Sequence, residues 1–147
     1  MLKFPLLHPQ ILGALGRSGH GSKILIADGN YPYQTKRGPN AEMVFLNFAV
    51  GQMSATDVVI GLANAVPVEL AEVMEPARTG PYAMKSDPPI FEDFRKVLKV
   101  RNPQLELTRL ERFAFYEAAG TKDVCLTIAT GDQRLYANLL LTIGVVT

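Results

Sequence analysis

Along this 147-residue chain the apolar positions recur with two different periods. Residues 6–15 set Leu7, Ile11, Leu12 and Leu15 at helical spacing, with Pro9 suited to a first helical position and Gly16 and Gly19 marking the end. His8 precedes that helix and reads as a helix-start residue. Residues 24–27 form an unbroken apolar run bounded by turn formers, which predicts a buried strand. A second strand is expected at 43–50 (MVFLNFAV). Ser54 with Asp57 three residues later opens a helix whose apolar face is Val58, Val59, Leu62 and Val66, and Pro67 closes it. Residues 70–74 predict a third strand. Residues 75–89, with four prolines and a glycine, are the least structured part. Asp87, Pro88 and Pro89 then start a helix with Ile90, Phe94, Val97 and Leu98 on its apolar face, broken by Asn102-Pro103. Strands follow at 105–110, where apolar and polar residues alternate, at 123–130 and at 139–143. Between them, residues 111–120 (ERFAFYEAAG) set three aromatics beside an arginine.

Strands alternating with helices give an α/β class. The expected architecture is a single three-layer domain over residues 1–147, with a mixed, mostly parallel sheet and a C-terminal antiparallel hairpin around Gly131-Asp132. At this length one core is enough.

Composition narrows the chemistry. A net charge of +1, with lysines and arginines scattered, gives no electrostatic case for nucleic acid or a membrane surface. No apolar stretch approaches a membrane span, and the start MLKFPLL is too short and Pro-broken for a signal peptide. The one cysteine, Cys125, rules out an internal disulfide framework, lies in an apolar run and reads as a buried small hydrophobe; a reducing cytoplasm suits it. Two histidines leave no evident zinc site. Gly13, Gly16, Gly19 and Gly21 follow a helix and precede a strand, the reverse of a dinucleotide loop.

The stretch 16–32 (GRSGHGSKILIADGNYP) carries the best candidate chemistry. His20 sits between Gly19 and Gly21, which let the backbone turn sharply and expose the ring. Histidine, with an unperturbed pKa of about 6.5, is the residue type suited to proton transfer near neutrality. Asp28 follows the strand, at the end where open α/β sheets place ligand groups. Polar residues at strand ends and in glycine-bearing loops complete the set: Arg112, Tyr116, Tyr136 and Asn138. Such residues bind hydroxyls and move protons without an evident cofactor. His20 and Asp28 bracket the strand, about 26 Å apart if extended at roughly 3.3 Å per residue. Sharing a pocket therefore requires either a strongly recurved His20 loop or a site built between subunits. Tyr31 and Tyr33 read as loop aromatics at a subunit interface, or as a stacking platform for a sugar.

Three stretches, LHPQILGALGRSGHGSKILIADGNYP, ERFAFYE and TGDQRLYANLLLTIGV, in that order, resemble the ribose pyranase and fucose mutarotase family. The resemblance implies that His20 is the acid/base, that Asp28, Tyr136 and Asn138 contact sugar, and that Arg112 marks the fucose-type branch, with Tyr116 in the same motif. It implies interconversion of monosaccharide anomers, or of pyranose and furanose forms, without cofactor or metal, L-fucose or a related sugar being the expected substrate. It also implies ring-shaped homo-oligomers, often decamers, with sites between subunits. Ser22 stands where fucose mutarotases usually have an acidic residue, Ala137 replaces a common glycine, and VFLNFAVG at 44–51 departs from the fucose-type pattern. The alternative is a non-catalytic monosaccharide-binding or transport-accessory protein, which needs the same hydroxyl-binding residues but not a titrating His20.

Overall fold

The computed structural model describes residues 2, 3 and 5–146. Its elements are α1 (Pro9–Gly16), β1 (Lys23–Ala27), β2 (Glu42–Phe45), α2 (Ala55–Ala63), β3 (Val68–Met74), α3 (Pro89–Lys99), β4 (Leu107–Leu110), α4 (Arg112–Ala119), β5 (Val124–Ala129) and β6 (Leu139–Ile143). The local signals act as expected at three helix starts. His8 caps α1, its Nδ1 accepting from the Ile11 N–H at 3.4 Å, with Pro9 next. Ser54 and Asp57 form a reciprocal capping box on α2. Pro88 and Pro89 open α3, where prolines leave no donor unsatisfied.

The six strands lie in the order β2-β5-β1-β6-β3-β4. β5 pairs in parallel with both β1 and β2, and β3 with β4, whereas β6 runs antiparallel to its two neighbours, β1 and β3. Five strands thus point one way and β6 alone points back. This is the mixed, mostly parallel α/β sheet that the sequence predicts, with one correction. β6 reverses direction as expected, but β1 lies between it and β5, so the two last strands form no hairpin. The 130–138 segment crosses the edge of β1 instead of turning tightly on itself.

Alternation of side chains along each strand divides the interior in two. On one face Ile24, Ile26, Leu126, Ile128, Leu139 and Leu141 meet Ile11, Val59, Leu62, Phe91 and Phe94 from α1, α2 and α3. On the other, Leu25, Ala27 and Leu140 meet Phe115 and Ala119 of α4, with Tyr31. Helices on both faces make the three layers.

Other expectations shift. β2 stops at Phe45, and beyond it Phe48 and Val50 stand 88% and 79% exposed on a loop. Leu46, Gly51 and Gly131 spend their N–H groups tying that loop to the end of β5 and the segment after it. Gly131 is obligatory there, because a Cβ would run into the Gln52 and Ala49 carbonyl oxygens. Residues 112–119, given no element by the sequence pattern, are helix α4, capped by Glu111, whose Oε2 accepts from the Phe113 and Ala114 N–H groups at 2.8 and 3.4 Å. Cys125 is half-buried, its thiol donating to the Lys23 carbonyl at 3.2 Å. Among the described residues no helix is long and apolar enough to cross a membrane.

Candidate functional site

Three parallel strands, β1, β3 and β4, end on the same edge of the sheet, and β6 begins there. The residues that follow or precede them face one another across a cleft of about 730 Å³, within the usual span of small-ligand pockets. Asp28 comes from the end of β1, Glu75 to Tyr82 from the segment after β3, Glu111, Arg112 and Tyr116 from the start of α4, and Tyr136 and Asn138 from the approach to β6. Ligand sites in open α/β sheets gather at this carboxyl edge because the connections diverge there. The reversal of β6 makes this the place where its neighbours' connections part.

Asp28 and Asn138 form the centre. Asn138 Nδ2 donates to Asp28 Oδ2 at 2.8 Å, and its Oδ1 accepts from the Asp28 N–H at 2.9 Å. The second carboxyl oxygen of Asp28 accepts from the Asn30 N–H at 2.9 Å. Tyr33 donates its hydroxyl to the Asp28 carbonyl. Both residues are buried, at 4% and 5% exposure, yet line the cleft. Burial pushes the Asp28 carboxyl above its ordinary value of 3.8, although the Asn30 and Asn138 hydrogen bonds pull back. The pair is therefore an oriented, partly dehydrated acceptor with an amide fixed beside it.

Around it stand aromatic rings. Tyr31 packs edge-on against Tyr116 with ring centres 5.7 Å apart, and its hydroxyl donates to the Lys36 carbonyl at 2.7 Å. Burial raises the Tyr33 hydroxyl to about 12, so it stays a donor over any physiological range. The Arg112 guanidinium lies 5.7 Å from the Tyr116 ring centre, one helical turn away. Tyr136 adopts φ 62° and its hydroxyl accepts from the Ala77 N–H at 2.8 Å, which pins the far wall of the cleft. Of the acidic groups at the rim, Glu75 is engaged by Arg78 at 3.0 Å and Arg109 at 3.6 Å, and Glu111 by the helix it caps. Arg112, the Tyr136 hydroxyl and the Asp28–Asn138 pair are what a polyol would meet.

Five of the six sequence-derived site residues, Asp28, Arg112, Tyr116, Tyr136 and Asn138, thus meet in one cleft. His20 does not. It lies at the amino end of β1, on the opposite edge of the sheet, exposed, with Nε2 3.1 Å from Glu69 Oε2 at the start of β3. The five residues of β1 alone span about 16 Å at roughly 3.3 Å each. The loop does turn, with Gly21 at φ 81°, but its N–H is fixed to the Ile143 carbonyl at 2.9 Å, which holds it to the amino edge. The recurved-loop alternative is therefore overturned. Tyr31 lines the cleft of its own chain, and Tyr33 meets the site through the Asp28 carbonyl. The wall supplied by residues 75–82, with Thr79 and Tyr82, was not legible in the sequence; its prolines signal irregularity, not a partner.

A sequence model of the RbsD / FucU transport protein family matches residues 1–146. The chain belongs to that family. Similar curated proteins named fucose mutarotase come from Homo sapiens, 29% identical, and Bos taurus, 33% identical, each alignment covering 95% of this chain and 90% of the relative. Among solved structures, FucU from Bifidobacterium longum is 31% identical, with a TM-score of 0.80 and 95% of both chains covered. Family membership therefore extends over the whole described fold, the cleft and the His20 edge included.

Proposed function

We propose that this protein is a cofactor-independent mutarotase that interconverts the anomers, or the ring forms, of a monosaccharide, L-fucose or a related sugar. The observation that carries the reading is the buried Asp28–Asn138 pair, opening beside Arg112 and the Tyr136 hydroxyl into an aromatic-walled cleft. Relatives over the full length named fucose mutarotase support the substrate class. Charge-assisted hydrogen bonds from and to such groups fix sugar hydroxyls in one geometry. The chemistry then requires a proton delivered to the ring oxygen and one removed from the anomeric hydroxyl. The ring opens to the aldehyde, the C1–C2 bond rotates, and closure on the other face returns both protons.

His20 supplies the acid/base group, and it comes from a neighbouring copy. A homo-oligomer, ring-shaped and decameric in this reading, brings the amino edge of one sheet to the carboxyl edge of another. Exposed apolar side chains, among them Phe48, Val50, Phe113 and Val146, give the surface that such contacts would cover. A cytoplasmic setting goes with the same reading, since Cys125 is an unpaired thiol. The second reading, a sugar-binding protein without turnover, draws on the cleft of one chain lacking His20.

Magnetisation exchange between the anomeric protons of L-fucose decides between them. Catalysed exchange that vanishes in His20→Ala, with sugar binding retained, is expected of the mutarotase. Binding without any acceleration for L-fucose, D-ribose or D-galactose would leave the binding protein as the function.

A further inference from the structure

Outside the cleft, a charge cluster holds the turn that presents Tyr136 and Asn138. Asp132, 3% exposed, lies at its centre. Its Oδ2 accepts from the Ala55 N–H at the start of α2 at 3.0 Å and from Arg134 Nη2 at 2.7 Å. Its Oδ1 accepts from the Arg134 N–H and Nε, both at 3.0 Å. Its carbonyl accepts from the Gly29 N–H at 2.8 Å, immediately beside Asp28. Arg134 then reaches onward: Nη1 donates to Asp93 Oδ2 on α3 at 2.9 Å, and Nη2 to Thr56 Oγ1 on α2 at 3.1 Å. One guanidinium ties the turn to two helices. Burial alone would raise the Asp132 carboxyl, but the hydrogen bonds from Arg134 and Ala55 together outweigh it and hold the group below its ordinary value.

Two residues further on, Tyr136 has a left-handed backbone, φ 62°. For a bulky residue that conformation is strained and persists only where the surroundings over-determine it. Downstream the chain is fixed by the Asn138–Asp28 pair, and the side chain by the Ala77 N–H. Upstream, Asp132 reaches the start of α2 through the Ala55 N–H, and Arg134 reaches both α2 and α3 through Thr56 and Asp93; the Arg134 carbonyl also accepts from the Ala137 N–H at 3.3 Å.

We propose that Arg134, clamped by Asp132, Asp93 and Thr56, is a positioning residue that holds Tyr136 in its left-handed conformation with the hydroxyl at the cleft. It touches no substrate and acts through Tyr136. Its effect on turnover rests on the mutarotase reading; its effect on the turn does not.

The test is a double-mutant cycle with a structural readout beside it. In Arg134→Ala, amide exchange of residues 133–138 speeds up while β1 and β5 keep their protection, and catalysed anomer exchange falls roughly tenfold, a coupling of ordinary size for contacting residues. Arg134→Lys, keeping the charge but not the fork, recovers part of the loss. In a Tyr136→Phe background the further loss on Arg134→Ala shrinks towards none. Should Arg134→Ala fail to fold, Asp93→Ala and Thr56→Val each remove one arm and give smaller changes in the same direction. Unchanged protection at 133–138, or an equal loss of turnover with and without the Tyr136 hydroxyl, overturns the proposal. If the wild type catalyses no exchange, the mutarotase reading fails by itself, and the amide protection at 133–138 still decides the role of Arg134.

Discussion

Asp28 and Asp132 are both buried carboxyls, and the fold shifts them in opposite directions. Burial raises the first, and the Arg134 and Ala55 hydrogen bonds lower the second. A carboxyl held below its unfolded value stabilises the fold above that value and loses the contribution as pH falls through the native one. Asp132 therefore supports the fold at neutral pH and stops doing so on acidification. Asp28 has the opposite sign: its contribution is full below 3.8 and is lost as pH rises through its native value. Its burial is a cost to the fold, and the gain is an oriented acceptor in the cleft. Side-chain carboxyl titration by NMR should place the Asp28 midpoint above 3.8 and the Asp132 midpoint below it. In Asp132→Asn the loss of urea resistance in the acid range should flatten. Tyr136→Phe removes the acceptor of the Ala77 N–H, so it should lower stability by about 0.5–1.5 kcal/mol and loosen the cleft wall, read as faster amide exchange at Ala77.

The elements show where the sequence speaks and where it does not. β1 and β6 announce themselves because both faces of a central strand are apolar, and neither needs a long-range partner to be recognised. The caps at His8 and Ser54 are local chemistry and are equally legible. Ser54→Ala should cost about 1 kcal/mol in urea unfolding, the usual value of such a cap. Helix α4 is different: of its aromatics only Phe115 is fully buried, while Phe113 is 68% exposed, so no apolar stripe recurs at helical spacing. Residues 47–50 mislead in the other direction, reading as strand because Phe48, Ala49 and Val50 are apolar although the chain leaves them on the surface. The place of β6 between β1 and β3 depends on pairings with residues far away in the sequence, such as Ile24 with Leu141 and Val73 with Leu139, and no local pattern encodes that. The strand-end residues Asp28, Tyr136 and Asn138 were legible because turn chemistry and motif fall together there; the wall at 75–82 was not, because it joins the cleft through backbone and through Tyr136.

Across the whole molecule, the proposed acid/base group and the proposed sugar-binding groups occupy opposite edges of one sheet, with the length of β1 between them. On the proposed mechanism, one copy alone has a cleft without a histidine and His20 without a cleft. Closed assemblies resolve this by placing the same two surfaces against each other in every interface. Each variant that removes one half, His20→Ala or Asp28→Ala, should then be inactive on its own. The most direct test is to co-express the two in equal amounts and measure magnetisation exchange between the anomeric protons of L-fucose. About a quarter of wild-type catalysis should return, because a random interface joins an intact cleft to an intact His20 in one case of four. A mixed assembly as inactive as its parents, beside an active wild type, would contradict a site shared between copies.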